Sequence, residues 1–439
     1  MSERRVAITG LGVVSPAGIG VGPFWESLLA ARRCVKTISL FDASKFPSSI
    51  AGQLDDFSAR NFVPKDYRKS VKVMARDIEI AVAAADLAFR DAGMVTRSTN
   101  PNAMTYPAKR MGCNVGAGLI CTDLDELGMA VNTAVTDGRF DMRAWGTRGM
   151  TNLNPLWLLK YLPNMLSCHV TIIHGTEGPS NCITCGDASG LLAAGESARL
   201  IARGGADAAV AGGAESKLNP MGLLRQRLLN RLCTSRNDRP GEACRPFDAG
   251  HDGTVVGEGG GLIILEDLEL AKARGARIYA EFVGFGAACD PDGIDVLKPT
   301  TGNLDLAVRA AMQDAGIAPE DVGIIVTQGT GVPGEDRCEA RAWQEALGEA
   351  ASKVPAVTTT GAIGQLFAGS GGVALVTAAK ALHDEQVPPT VNFAAPADGC
   401  GLKPPRDITA IDAKYAVCGA FSVGGQSAAC VLKRYEEAT

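Results

Sequence analysis

The sequence of 439 residues predicts an α/β fold made of two similar halves. Three observations lead there. Short β-rich runs alternate with helical patterns along the whole chain. A helical segment ending at Asp91-Ala92-Gly93 recurs in kind at Asp314-Ala315-Gly316, which points to a duplicated half and not to a short solenoid repeat. Glycines, 52 in all, gather where strands end, at points where backbone must approach backbone.

Taken in order, RRVAITGLGVV reads as a buried first strand, because its apolar run is short and broken by glycines. DIEIAVAAADLAFRDAG follows as a helix. In SNCITCGDASGLLAAGESARL an apolar Cys/Ile/Thr run breaks at Gly186, and a long helical pattern starts directly after it. ADAAVAGGAES and GGGLIILEDL are strands, and the GEGGG between Gly257 and Gly261 lacks the Lys-Ser/Thr ending of a phosphate loop. AVRAAMQDAGI is the recurring helix, and VGIIVTQGTG and KYAVCGAFSVGG complete the strand set. Most of these glycines are expected to serve tight packing between layers.

Composition narrows the function. Hydrophobic residues make up 46% and charged residues 21%, enough apolar material for a large core and too little charge for a disordered chain. The net charge of −5 comes from interspersed signs without a basic tract, so nucleic acid is not an expected partner. No apolar run of about 20 residues predicts a membrane span, and no export signal is read at the N-terminus. Thirteen scattered cysteines, an odd number, are expected to be free thiols in a reducing cytoplasm. Cys182 and Cys185 form a C-x-x-C with no second pair or nearby histidine, so core packing is expected, with no metal and no cofactor.

The break at Gly186 would suit a nucleophile, yet the next residue is Asp187. Motifs spread over nearly the whole chain give this position a context: RRVAITGLGVVSPAG, NMLSCHVTIIHGTEGPS, AVAGGAES, RPFDAGHDGTVVGEGGG, QGTGVPGEDRCEA, GQLFAGSGG, VPPTVN and FSVGGQSA. In these segments the chain resembles the β-ketoacyl-acyl-carrier-protein synthases, the elongating condensing enzymes of the thiolase superfamily. The resemblance implies a thiolase-like fold, two similar βαβαβαββ halves in a five-layered αβαβα arrangement, usually as a dimer. The halves are expected at 1–262, carrying the elbow, and 263–439, carrying two histidine positions of the family.

Those positions are where the chain departs. The family's acyl-accepting cysteine is replaced by Asp187, and its two histidines by Gln328, in Gln328-Gly329-Thr330, and Gln365, in Gly364-Gln365-Leu366. The family's lysine is missing as well, since Thr360 is followed by Gly361-Ala362-Ile363. The four histidines, His169, His174, His251 and His383, fall outside the catalytic motifs and are expected to be structural. A carboxylate would form a mixed anhydride far more labile than a thioester, and glutamine donates hydrogen bonds without exchanging protons near neutral pH. Asp187 is expected to cap the helix it precedes and to repel a malonyl carboxylate. The two amides are expected to help close the old pocket. Gly186, Phe421, Val423 and Gly424 correspond to its wall, with Val423 standing where the family has a phenylalanine.

Loss of every polar catalytic residue with retention of the scaffold resembles the chain-length factors, non-catalytic partners of ketosynthases. The leading expectation is therefore a condensation-incompetent subunit of fatty-acid or polyketide synthesis, paired with an active homologue or with a second copy. An enzyme of altered chemistry on acyl or malonyl thioesters is the alternative, and a displaced nucleophile at Cys185 or Cys182 a third. An acyl carrier protein is an expected partner under each, docking on basic helical faces in RKSVKVMARD and at Arg225, Arg227 and Arg231.

Overall fold

The computed structural model describes residues 4–291 and 303–437; residues 1–3, at the start of the N-terminal run, lie outside them. The first half comprises β1 (Val6–Ser15), α1 (Arg76–Asp91), β2 (Met111–Gly116), α2 (Met165–His174), β3 (Ser180–Ile183), α3 (Ser189–Ala202), β4 (Ala208–Ser216), α4 (Pro220–Leu228) and β5 (Glu258–Asp267). The second comprises β6 (Ala280–Cys289), α5 (Leu304–Ala315), β7 (Val322–Val326), α6 (Pro333–Leu347), β8 (Ala356–Val357), α7 (Ala368–Asp384), β9 (Tyr415–Phe421) and β10 (Gln426–Arg434).

These ten strands, with the short strand Gly18–Ile19 paired to β1, join in an eleven-stranded sheet whose two wings repeat each other, β3-β2-β4-β5-β1 and β8-β7-β9-β10-β6. In each wing the outer pairs are parallel and the inner pairs antiparallel, and the wings meet where β1 pairs with β6 through Val6, Ala7 and Ile8. β1, β4 and β5 are buried along their full length, as strands covered on both faces must be. Helices α1 and α2 cover one wing, α5 and α6 cover the other, and α3 and α7 fill the space between, which yields the thiolase-like αβαβα layering.

The repeat extends to single contacts. A Cβ on Gly10 or Gly12 of β1 would lie 2.3 Å from the Ala88 carbonyl or 2.0 Å from that of Ala84 on α1. On β6, a Cβ on Gly284 or Gly286 would lie 2.3 Å from the Ala311 carbonyl or 2.1 Å from that of Ala307 on α5. Asp91 accepts the Leu11 amide at 2.8 Å, as Asp314 accepts that of Phe285 at 2.9 Å. Both helices therefore reach their strands over glycine and are pinned by a C-terminal aspartate. The expected division at 262/263 falls inside β5, where Leu262 pairs with Gly12 on one side and Gly212 on the other, so the strand belongs whole to the first half. Among the described residues no helix is long and apolar enough to cross a membrane.

Candidate functional site

The turn from β3 into α3 runs through Gly186, at φ +57°, where a Cβ would press to 2.9 Å from the Ser422 hydroxyl. Ser422, in the loop between β9 and β10, donates its hydroxyl to the Cys185 carbonyl and accepts the Ala188 amide at 3.2 Å. Within the turn, the Ser189 hydroxyl accepts the Cys185 amide at 2.8 Å. The start of α3 is thus tied down by two hydroxyls, and Asp187 does not cap it. This corrects the capping expectation: the chain already supplies partners there, so the carboxylate turns away.

What it turns toward is a buried cation. Asp187 is 4% exposed; its Oδ1 accepts Gln365 Nε2 at 3.3 Å, and its Oδ2 lies 3.9 Å from Arg231 Nη2. Arg231 is bound more closely elsewhere, with Nε and Nη2 on the two Glu335 oxygens at 2.7 and 2.9 Å and Nη1 on Gln226 at 2.9 Å. Glu335 therefore takes most of the guanidinium's charge, and Asp187 is left only partly compensated. Burial pushes the Asp187 carboxyl up to about 6; Arg231 and Lys217 oppose the rise, while Glu335 and Glu215 add to it. Arg231 itself is 3% exposed, which overturns its place on a docking face: the chain turns inward after α4 and buries the side chain against Glu335. Arg225 is half-buried, with its guanidinium on Cys121 Sγ, and Arg227 is exposed.

Gln328 and Gln365 both lie buried, at 5% and 0% exposure. The Gln328 Oε1 accepts the Phe421 amide at 2.9 Å, and the amides of Gln328 and Gly329 both donate to Glu339 at 2.8 Å. Gln328 Nε2 and Gln365 Oε1 have no hydrogen-bond partner among the described residues. Thr360 donates its hydroxyl to the Gln328 carbonyl at 2.7 Å, which fixes the loop behind the amide.

A cavity of about 480 Å³ opens beside Asp187, lined by Glu215, Lys217, Arg231, Phe367 and Val423 among others. Gly186 and Gly424 also line it, as does Cys185. Phe421 does not; it belongs to the core of the second half, and only its backbone reaches the site, through Gln328. The expected closure of the pocket by the amides is likewise corrected: Gln365 does bind Asp187, but neither amide lines the cavity, which remains beside the carboxylate.

Sequence reasoning passed over Glu335, Glu215 and Lys217. Lys217 and Arg231 both sit against the Phe367 ring, at 5.2 and 5.8 Å from its centroid. The lysine pairs with Glu215, whose other oxygen accepts the Ala368 amide at 2.8 Å. Nothing but the polar end of AVAGGAES marks Glu215 in the sequence. The four histidines have their own partners, His169 with Tyr67, His174 with Thr96, His251 with Asp336 and His383 with Asp384. None lines the Asp187 cavity. Among the described residues no group of His, Cys, Asp and Glu is arranged to hold a metal. Among the described residues no cysteine is joined in a disulfide; Cys182 packs against the first-half core, whereas Cys185 borders the cavity, contrary to the expectation of core packing for both. Burial raises both thiols, Cys182 to about 12, which works against either as a displaced nucleophile.

Comparison with known proteins agrees with this architecture. Residues 3–271 match the beta-ketoacyl synthase N-terminal domain and residues 279–394 its C-terminal domain. The chain is 35% identical over 439 residues to a 3-oxoacyl-[acyl-carrier-protein] synthase 2 of Vibrio harveyi, covering 100% of each chain. It is 35% identical over 435 residues to the protein of that name from Coxiella burnetii, covering 99% of each. Among solved structures it is similar to a beta-ketoacyl synthase from Burkholderia phymatum, at TM-score 0.84 and 28% identity over 99% of this chain and 100% of that one. It is also similar to the ishigamide ketosynthase/chain length factor, at TM-score 0.82 and 25% identity over the same shares. Two consecutive domain matches, full-length relatives and a duplicated sheet with its elbow in the first wing lead to one conclusion: the chain belongs to the β-ketoacyl synthase family.

Proposed function

We propose that this protein is a ketosynthase-like subunit of fatty-acid or polyketide synthesis that does not itself condense acyl chains, and that it acts as a chain-length-factor-like partner. The observation that carries the reading is Asp187 at the elbow, engaged with Arg231 and Gln365 in place of a free nucleophile. Condensation further needs groups that assist malonyl decarboxylation and stabilise the resulting enolate until it attacks the acyl thioester. Gln328 and Gln365 stand at those positions and exchange no protons near neutral pH. The full-length relatives bear the names of synthases, and this chain shares their length at 35% identity.

A dimer, with a second copy or with an active ketosynthase, is supported by the outer edge of β3, whose first two residues are exposed, and by exposed Met129, Phe140, Met142 and Leu158 in the segment before it. Docking of an acyl carrier protein is supported by a basic groove of about 460 Å³ containing Arg60, Arg68, Lys69 and Lys72, which form no ion pair among the described residues, and by exposed Arg227. The free thiols favour the cytoplasm as its location.

A second reading, hydrolysis or decarboxylation of a thioester, rests on Gln328 Nε2, a buried donor without a partner among the described residues, which suits a developing oxyanion. Mass spectrometry of malonyl- and acyl-carrier protein after incubation with the native chain and with Asp187→Asn separates the two. Unchanged thioesters, together with a stable complex on co-expression with an active homologue, are expected. Loss of carbon dioxide or of the acyl group that depends on Asp187 would establish the second reading instead, and separate homodimers on co-expression would remove the first.

A further inference from the structure

The charges around the 480 Å³ cavity do not balance, and the imbalance has a consequence for what can enter. Two cations line it, and each is already engaged. Lys217 is bonded to Glu215, and Arg231 is held by both oxygens of Glu335 and by Gln226. Asp187 is the carboxylate left over, with its nearest guanidinium nitrogen 3.9 Å away. Among the described residues a neutral amide on Gln365 is its one hydrogen-bond donor. Like charges close together in a partly desolvated space repel strongly, because little water remains to screen them. A cation already bound bidentately cannot be recruited by an incoming anion without exposing its own carboxylate.

We infer that Asp187 sets the ligand class of the cavity, admitting acyl thioesters with uncharged chains and rejecting those that end in a carboxylate, such as malonyl thioesters. The inference rests on the proposed reading of this site as an acyl-handling pocket and adds the chemical class it takes. A cavity of this volume lies within the range that holds a small ligand. Phe367 and Val423 line the cavity and supply apolar surface for a hydrocarbon chain. A chain-length partner with this selectivity would handle the growing chain and leave the extender unit to another subunit.

Isothermal titration calorimetry of the full chain with hexanoyl-pantetheine and with malonyl-pantetheine tests this. Near neutral pH the native protein should bind the hexanoyl thioester at least about tenfold more tightly than the malonyl one. Asp187→Asn and Asp187→Ser should bring the two affinities to within about twofold, mainly by improving malonyl binding. If both variants fail to fold, the native chain still decides, because acidification toward pH ~5 protonates Asp187 and should narrow the gap. The groups facing that carboxyl are Arg231, Glu335, Glu215, Lys217 and Gln365, and each is fixed in a pair or an amide bond in the present arrangement. Equal affinities on the native chain, a gap unchanged by loss of the carboxylate, or failure of both thioesters to bind would each overturn the inference. Turnover and complex formation, which decide the partner-subunit reading, do not enter the titration, so the two fail separately.

Discussion

The two halves place a helix start at equivalent points and treat it differently. In the first, α3 is entered through Gly186 at φ +57°; in the second, α7 is entered through Phe367 at φ +52°. A bulky residue in that region is strained by about 1–3 kcal/mol, and here the ring lies under the Lys217 and Arg231 cations. The first amide of α7 donates to a carboxylate, Glu215, whereas the turn into α3 is tied by the hydroxyls of Ser422 and Ser189. A carboxylate near a helix start is therefore a cap in one half and a pocket charge in the other. Residue type alone does not separate the two roles; the partners already in place do.

The largest expected effect breaks the charged side of this comparison. Arg231→Met would leave Glu335 and Asp187 buried without their cation and should lower stability by about 3–5 kcal/mol in denaturant unfolding. Next comes acid–base behaviour. Folding raises the Asp187 carboxyl from 3.8 to about 6, so its contribution is fully present below the lower value and is lost as pH rises through the higher one. Native protein should thus lose on the order of 2–3 kcal/mol relative to Asp187→Asn between pH ~4 and ~6, read as the difference of their unfolding free energies.

The likeness of the halves is sharpened by Gly12→Ala and Gly286→Ala. Both methyl groups would collide with a helix carbonyl, at 2.0 and 2.1 Å, so both should cost about 1–3 kcal/mol and by similar amounts. Unequal losses would show that one half yields more easily than the other. The smallest effect is expected from Ser422→Ala, about 1 kcal/mol from the hydroxyl that bridges Cys185 and Ala188. A larger loss, measured by thermal unfolding, would mean that the loop holds the elbow as a unit.

Much of this architecture is visible before any coordinates. The alternation of strand and helix patterns and the recurrence of Asp-Ala-Gly both reappear as the two matching wings, down to Asp91 and Asp314. The break at Gly186 and the residue types at Asp187, Gln328 and Gln365 are equally plain in the sequence. Arg231 was misread because a basic residue one helical turn from Arg227 looks like part of an exposed face, while the chain in fact leaves the helix after Leu228. Phe421 was misread for a related reason: strand alternation sends its side chain into the second-half core and leaves Val423, in the loop, to meet the cavity.

The sequence by itself determined the elements, their duplication and the residue types at the elbow, because periodicity, turn residues and side-chain type are local properties. Only the tertiary structure decided what Asp187 does. Its partners come from residues far along the chain, Arg231 and Gln365, and the strength of each contact is set by Glu335 and Glu215 competing for the same cations. Charge in a buried site depends on distance and on the loss of water, and neither is written in residue order.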